Sequence, residues 1–175
     1  IYRRADGKAI AVHLTWQKRK LLVVITHAPH TDEEQAAFYD SIEQDLRGVY
    51  RQRLVDHPED HHDEGEIPRE RAVLWMADDN HVADPEADST PPGTAAAHPK
   101  AIQAKADLAA YLRAPCDTYR TLQPHGKDTT RKDDKTGTAR RLDTIFSSQN
   151  MLTEEQRIVR AEHTPPCLLY TSDAA

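Results

Sequence analysis

Three short segments of this 175-residue chain carry side chains suited to chemistry on phosphate esters: Thr26-His27-Ala28-Pro29, Ala77-Asp78-Asp79-Asn80 and Arg141-Leu142-Asp143. A carboxylate can orient or deprotonate a water molecule, and an imidazole can protonate a leaving oxygen. An amide can donate to a phosphate oxygen without adding negative charge. Taken singly, Asp and Asn residues after a strand are more often turn formers. Carboxylates, an amide and an imidazole at strand ends are nevertheless suitable parts for a phosphodiesterase.

Each of these segments borders a stretch that predicts a β-strand. Residues 9–16 alternate, and one face holds the side chains Ile10, Val12, Leu14 and Trp16. The continuous apolar run from Leu21 to Ile25 is typical of a central strand buried on both faces. The two stretches together predict a hairpin. Residues 71–77 and 141–147 predict two further strands, so strand ends carry all three segments.

Two helices are predicted between these strands. Thr31 and Glu34 have the spacing of a capping box, and apolar residues then recur on one helical face at Phe38, Ile42, Leu46 and Val49. This helix begins at Thr31 and fades near Leu54, and residues 101–112 predict the second helix. The remaining assignments are polar loops at 84–100 and 123–138 and a strand at 117–122. Strands mixed with helices predict an α/β fold with a mixed β-sheet and flanking helices.

The composition limits the classes of function. The net charge of -6 disfavours broad non-specific binding of nucleic acid, although a metal ion and a few local cations can hold one phosphate on an acidic protein. No apolar run approaches the roughly 20 residues of a membrane span. Cys116 and Cys167 form neither a disulfide framework nor a zinc spacing.

The order and spacing of the motifs resemble the endonuclease/exonuclease/phosphatase superfamily, also called DNase I-like. Ala77-Asp78-Asp79-Asn80 is similar to the Gly-Asp-x-Asn motif of that family, and Arg141-Leu142-Asp143 is similar to its Arg-(Ile/Leu)-Asp strand. The segment Asp117 to Arg120 resembles the Asp-x-(Phe/Tyr)-Arg sequence usually found between those two motifs. Asp84-Pro85 with Asp88 resembles a continuation that is common in the LINE-type retrotransposon endonuclease branch. The resemblance covers residues 9–152 and implies part of a four-layer α/β sandwich.

The resemblance implies a role for individual side chains. Asp78 would orient or activate the attacking water and hold a metal ion, and Asn80 would hold the scissile phosphate. His27 matches the histidine of DNase-like branches that contacts the phosphate, whereas abasic-site endonucleases carry tyrosine there. Asp143 would orient the catalytic histidine that closes the family's domain. His30 and Arg141 would be substrate-binding residues, although His30 stands where retroelement and abasic-site enzymes usually have Asn.

The implied cofactor is Mg²⁺ or Mn²⁺, and the implied substrate is DNA. A retroelement endonuclease would nick DNA to prime reverse transcription, would be intracellular and nuclear, and would be fused to a reverse transcriptase. Two alternatives stay open: a phosphatase or phosphodiesterase of inositol phosphates or lipids, and a decayed remnant without catalysis. Ala77 and Asp79 depart from the family's Gly and Phe or Leu, and Asp79 would either act on Asp78 through its charge or point to solvent.

Both ends of the chain suggest a fragment. The family's metal-binding Glu and its closing Ser-Asp-His are absent from the sequence, which implies that residues 1–166 are a truncated domain without nuclease activity of their own. Residues 167–175 resemble a translated sequencing adapter, as found in genes assembled from metagenomic short reads.

Two further clusters give weaker signals for a site. His57, His61 and His62 lie among acidic residues, but their spacing matches no firm metal motif. Residues 127–135 mix basic residues with aspartates, so a flexible loop is about as well supported as a contact with nucleic acid.

Overall fold

The computed structural model describes residues 1–16, 19–56, 67, 71–93, 95, 96 and 98–151. Its strands are β1 (Tyr2–Arg3), β2 (Ala9–Trp16), β3 (Arg19–His27), β4 (Ala72–Asp78), β5 (Ser89–Thr90), β6 (Cys116–Asp117), β7 (Arg131–Asp133), β8 (Thr138–Arg140) and β9 (Asp143–Ser147). Its α-helices are α1 (Asp32–Asp56), α2 (Pro85–Asp88), α3 (Pro99–Tyr111) and α4 (Thr118–Leu122), and a 3₁₀ turn spans Gln149–Met151.

Six strands form the main sheet in the order β1-β2-β3-β4-β9-β6. The predicted hairpin is confirmed, because β2 pairs antiparallel with β3. β3 pairs parallel with β4, and the chain between them runs through α1, as a parallel connection requires. β9 returns antiparallel to β4, so the sheet is mixed, as predicted. A second, three-stranded sheet has the order β5-β8-β7.

Helix α1 begins at the predicted capping box. The Thr31 hydroxyl donates to the Glu34 carboxylate over 2.8 Å and accepts from the Glu34 backbone N–H over 3.3 Å. Three acidic residues occupy the first turn, where the positive end of the helix dipole stabilises negative charge: Asp32, Glu33 and Glu34. This start fixes α1 immediately after the His27 to Pro29 segment.

Helices α1 and α3 pack on one face of the main sheet and form the core with it. The sheet contributes Leu22, Val24, Val73 and Trp75, and the helices contribute side chains such as Ile42 and Leu108, all of which are fully or almost fully buried. The indole N–H of Trp75 donates to the Thr26 hydroxyl over 2.9 Å, so its burial leaves no donor unpaired. On β2 the small residues Ala9 and Ala11 face the helices.

The opposite face of the main sheet is apolar but open among the described residues. Leu14, Ile25 and Ile145 are 44–45% exposed there. The prediction that Leu21 to Ile25 is buried on both faces is therefore wrong for one face. The buried positions are Leu22 and Val24, because successive side chains of a strand point to opposite sides and the helices cover one side.

Three predictions on secondary structure need correction. Residues 117–122 were expected as a strand, but β6 stops at Asp117 and α4 follows, because the Asp117 carboxylate accepts the Arg120 backbone N–H over 3.1 Å as an N-cap. The predicted loop at 84–100 contains α2, capped in the same way by Asp84, and the start of α3. The polar stretch 123–138 holds most of the β7–β8 hairpin.

Two sequence predictions fall outside the described residues. They concern the histidine cluster of residues 57–62 and the adapter-like residues 167–175. None of the helices in the described part of the chain combines the length and the apolar character that a membrane crossing needs.

We expect the two faces of β3 to differ in stability, because the helices bury one of them. Leu22→Ala removes a side chain with 0% exposure and should lower the free energy of unfolding by about 2–5 kcal/mol. Leu21→Ala is the matched control on the half-buried face and should cost roughly 1 kcal/mol. Urea denaturation of the two variants measures the difference, and equal losses would contradict this assignment of the core face.

Candidate active site

Three of the predicted site residues form one row across the main sheet. His27 is the register partner of Asp78 on the parallel pair β3–β4, and Asp78 is the register partner of Asp143 on the antiparallel pair β4–β9. Their chain neighbours Thr26, Ala77 and Thr144 are buried towards the helices. Since side chains alternate along a strand, the row lies at the edge of the open apolar face.

His27 and Asp78 are close enough to act as a pair. His27 Nε2 lies 3.6 Å from Asp78 Oδ2, and the two side chains are 62% and 41% exposed. An ion pair this exposed contributes little to stability. The imidazole of His27 and the carboxylate of Asp78 are therefore both accessible to a ligand.

Asn80 is turned towards the same region by the loop after β4. Its φ of 52° lies in the left-handed region, which Asn tolerates better than most residues. Its backbone N–H donates to Asp78 Oδ1 over 3.1 Å, and its Nδ2 donates to the Ala28 carbonyl over 2.7 Å. The loops after β3 and β4 are thereby joined, and a primary amide has a second N–H with which to meet a ligand.

Asp79 points the other way, into the core. Its side chain is 1% exposed and forms an ion pair with Lys105 of α3. Tyr39 and Thr144 donate their hydroxyls to it over 2.8 Å and 2.6 Å. This corrects the expectation that Asp79 points to solvent, because its carboxylate is buried and paired in the core. Burial holds the pKa of Lys105 below its usual range despite the opposing Asp79 charge, and burial with the nearby Asp79 raises the pKa of Tyr39.

The backbone of Asp79 is held as firmly as its side chain. Its carbonyl accepts from Gln35 Nε2 over 2.9 Å and from His81 Nδ1 over 3.0 Å, and its N–H donates to the Leu142 carbonyl over 2.9 Å. Gln35 in turn accepts from His98 Nδ1 over 2.8 Å. Elements α1, α3, β4 and β9 therefore all contact this one residue or its immediate partners.

Asp143 lies next to Asp78 in an environment that disfavours its ionised form. Burial raises the pKa of Asp143 above the usual Asp value, and the charges of Asp78 and Asp79 add to the effect. A bond from Thr130 and the nearby His27 act in the opposite direction. Crowding of carboxylates of this kind is common at functional sites.

The structure gives Arg141 a different place from the one predicted. Arg141 is 4% exposed, and its guanidinium bonds to Asp88 over 2.8 Å and to Asp117 over 2.8 Å. Burial opposes its charge, but the hydrogen bonds to Asp88 and Asp117 outweigh this and raise the pKa of Arg141. Arg141 thus links α2 and β6 to the start of β9. Its guanidinium group is buried against Asp88 and Asp117 and does not face a substrate.

A cleft of about 740 Å³ is lined by Asn80 and Leu142, which are close in sequence to Asp78 and Asp143 of the row. One wall contains Asn80, His81 and His30, and the other is the β7–β8 hairpin, which contributes basic residues at Arg131, Lys132, Lys135 and Arg140. The same hairpin contributes Asp133 and Asp134. Of the two predicted substrate-binding residues besides Asn80, His30 lies in the cleft and Arg141 does not.

The donor set suits a hard cation in part. Among the described residues there is no group of three or more His, Cys, Asp or Glu side chains that would hold a metal ion. Asp78 and Asp143 nevertheless place two carboxylates in adjacent register. Mg²⁺ keeps several waters and is commonly held by one or two carboxylates together with substrate phosphate, so this pair would supply part of its ligand set.

The main sheet and its helices form a mixed α/β fold that is consistent with the DNase I-like fold. No family model matches the chain. No curated protein matches it either. Among solved structures, it is similar to the crystal structure of AP endonuclease LMAP from Leishmania major, with a TM-score of 0.53 and 15% sequence identity. The match covers 82% of this chain and 46% of that one, so the chain spans less than half the length of the endonuclease, and the LINE-type assignment stays a prediction.

Sequence reasoning missed Lys105, although a signal for it was present. On α3 the buried positions include Ala101, Ala104 and Leu108, and Lys105 falls on the same face. A lysine on the core-facing stripe of a helix needs a buried counter-charge. Asp79 supplies this counter-charge, but the sequence around Lys105 and around Asp79 does not indicate that the two side chains form an ion pair.

We predict that the Asp143 carboxyl titrates above the ordinary Asp value of about 3.9. Since its folded-state pKa is raised, its contribution to stability falls as the pH rises from the unfolded-state pKa through the folded-state pKa. Asp78→Asn removes a neighbouring charge and should lower the pKa of Asp143, whereas Asp107→Asn on α3 should leave it unchanged. Carboxyl ¹³C NMR titration without divalent metal measures this, and an Asp143 pKa at or below 3.9 would refute it.

We predict strong coupling between Lys105 and Asp79. Lys105→Met leaves a buried, uncompensated carboxylate and should lower the free energy of unfolding by about 3–5 kcal/mol. Asp79→Asn/Lys105→Met removes both charges while keeping an oxygen for Tyr39, and it should recover most of the loss. A double-mutant cycle in urea tests this, and additive losses would show that the two groups do not interact.

Proposed function

We propose that this chain forms part of the active site of a metal-dependent phosphodiesterase that acts on DNA, of the retroelement endonuclease type. The observation that supports it is the row of His27, Asp78 and Asp143, together with Asn80, which bonds to Asp78 and also lines a cleft with basic residues of the β7–β8 hairpin. The similarity to an AP endonuclease fold agrees with a nuclease-like activity. The retroelement type rests on the motif resemblance.

Each group has a chemical task in this proposal. Asp78 orients the attacking water and offers an oxygen ligand to Mg²⁺ together with Asp143. Mg²⁺, when bound, supplies charge to offset the negative charge that develops on the phosphate. Asn80 donates a neutral hydrogen bond to a phosphate oxygen. His27, whose Nε2 lies 3.6 Å from Asp78 Oδ2, donates a proton or a hydrogen bond to the leaving oxygen.

The β7–β8 hairpin is the feature that favours a polymeric substrate in this proposal. The net charge of the chain is -6, so DNA must be attracted locally. Four basic side chains of the β7–β8 region line the cleft next to Asn80 and His30. A strand whose scissile phosphate meets Asn80 would place its neighbouring phosphates along this wall, and Lys and Arg contacts of that kind supply sequence-independent affinity.

Binding of a fluorescein-labelled DNA duplex, measured by polarisation in Mg²⁺ and in EDTA, tests the proposal. Asp78→Ala removes a negative charge and would by itself favour binding of DNA. We nevertheless expect it to abolish the gain in affinity that Mg²⁺ provides, because the ion loses its ligand. Asn80→Ala should weaken binding about tenfold, the value of one hydrogen bond to a charged group.

Asp107→Ala is the matched control, since it makes the same charge change on α3, where Asp107 pairs with Gln103. It should leave the Mg²⁺ dependence intact. If Asp78→Ala keeps that dependence, the proposed role of the row is wrong. If inositol trisphosphate displaces the duplex at a lower concentration than unlabelled DNA does, the substrate is an inositol phosphate.

A further inference from the structure

We propose that Asp79 and Lys105 are positioning residues, which act through Asn80 to set the phosphate-binding geometry of the site. The inference rests on the proposed function. It assigns a task to a residue pair whose ion pair joins the loop after β4 to helix α3. Neither side chain can touch a substrate, because Asp79 and Lys105 are 1% and 5% exposed.

The backbone at Asn80 adopts a conformation that is uncommon for a residue other than Gly. The loop after β4 turns from an extended Asp78 to a left-handed Asn80 within two residues. A left-handed conformation of a residue other than Gly persists when its surroundings hold it there. The intervening residue is Asp79, and it is fixed at every polar atom: its carboxylate by Lys105, Tyr39 and Thr144, and its peptide groups by Gln35, His81 and Leu142.

The side chains of Asp78 and Asp79 point in opposite directions. Asp78 and Asp79 are neighbours with opposite exposure, 41% for the first side chain and 1% for the second. Drawing the Asp79 carboxylate into the core turns the flanking residues outward. Asn80 is then placed so that its backbone N–H reaches Asp78 and its amide reaches the Ala28 carbonyl. Loss of the anchor at Asp79 would free both contacts.

The buried charge of Asp79 is compensated by its partners. A buried carboxylate is tolerated when a cation and hydrogen bonds compensate it. Lys105 supplies the cation, and it also lies over the rings of Phe146 and Trp75, at 4.5 Å and 5.6 Å from their centroids. The lysine head is therefore held on the helix side of β4, and the carboxylate must stay there with it.

Two uncharged double variants separate positioning from bulk stability. Asp79→Leu/Lys105→Met keeps an apolar, filled core but leaves residue 79 unable to bond to Tyr39 and Thr144. Asp79→Asn/Lys105→Met keeps a hydrogen-bonding side chain of the native shape. We expect the Leu variant to bind the labelled duplex in Mg²⁺ about tenfold more weakly, and the Asn variant to bind within about twofold of the original chain.

The effect should also be coupled to Asn80. If the anchor acts through that residue, adding Asn80→Ala to the Leu variant should cause no further loss of affinity. Additive losses, or a Leu variant that binds as well as the original chain, would overturn the inference. Matched thermal unfolding of the two double variants checks that both are folded at the temperature of the binding measurement.

A direct reading of Asn80 decides the question even if the chain does not bind DNA as proposed. The ¹⁵N and ¹H shifts of the Asn80 side-chain amide report its bond to Ala28. They should move in the Leu variant and stay in place in the Asn variant. If the shifts stay in place in both double variants, Asp79 does not position Asn80. If the shifts move in the Leu variant but Asn80→Ala leaves the DNA affinity unchanged, the proposed function is refuted instead.

Discussion

The register of β3, β4 and β9 is the constraint on which the candidate site depends. A parallel pair places His27 beside Asp78, and an antiparallel pair places Asp143 on its other side. A shift of either register by one residue would move side chains of one strand to the helix-covered face. The buried neighbours Thr26 and Ala77 oppose such a shift, because they pack on the helix side.

The loop after β4 divides its three polar residues between two environments. Asp78 faces the open side, Asp79 is drawn into the core by Lys105, and Asn80 turns back over the loop after β3. The cost of burying a carboxylate is offset by one cation and several hydrogen bonds. The same network attaches the loop to α1 and α3. The core of the domain therefore holds the site in place.

A second buried ion-pair network holds the periphery. Arg141 connects Asp88 of α2 with Asp117 of β6, and Arg120 reaches the same Asp88. Burial would raise the pKa of Asp88, but hydrogen bonds and charge from Arg141 and Arg120 hold it below the usual range. Arg141, which the motif pattern predicts as a substrate-binding residue, therefore stabilises the packing of α2 and β6 in this structure.

The local signals of the sequence were sufficient for much of the fold. The capping box at Thr31, the alternation of residues 9–16 and the apolar run before Asp78 each correspond to an observed element. The helix at 118–122 was missed, although Asp117 is an ordinary N-cap residue, because six residues with one capping side chain resemble a short strand equally well. Short elements take their conformation from caps and contacts more than from periodicity.

What the sequence determined by itself is the set of reactive groups and their positions at strand ends, since both follow from residue type and local periodicity. The tertiary structure alone decided which groups meet. Asp79 and Lys105 lie in different elements, as do Arg141 and Asp88, and their pairing depends on how α3 and α2 pack against the sheet. Contacts between distant segments are set by the burial of whole elements, so no spacing within either segment could reveal them.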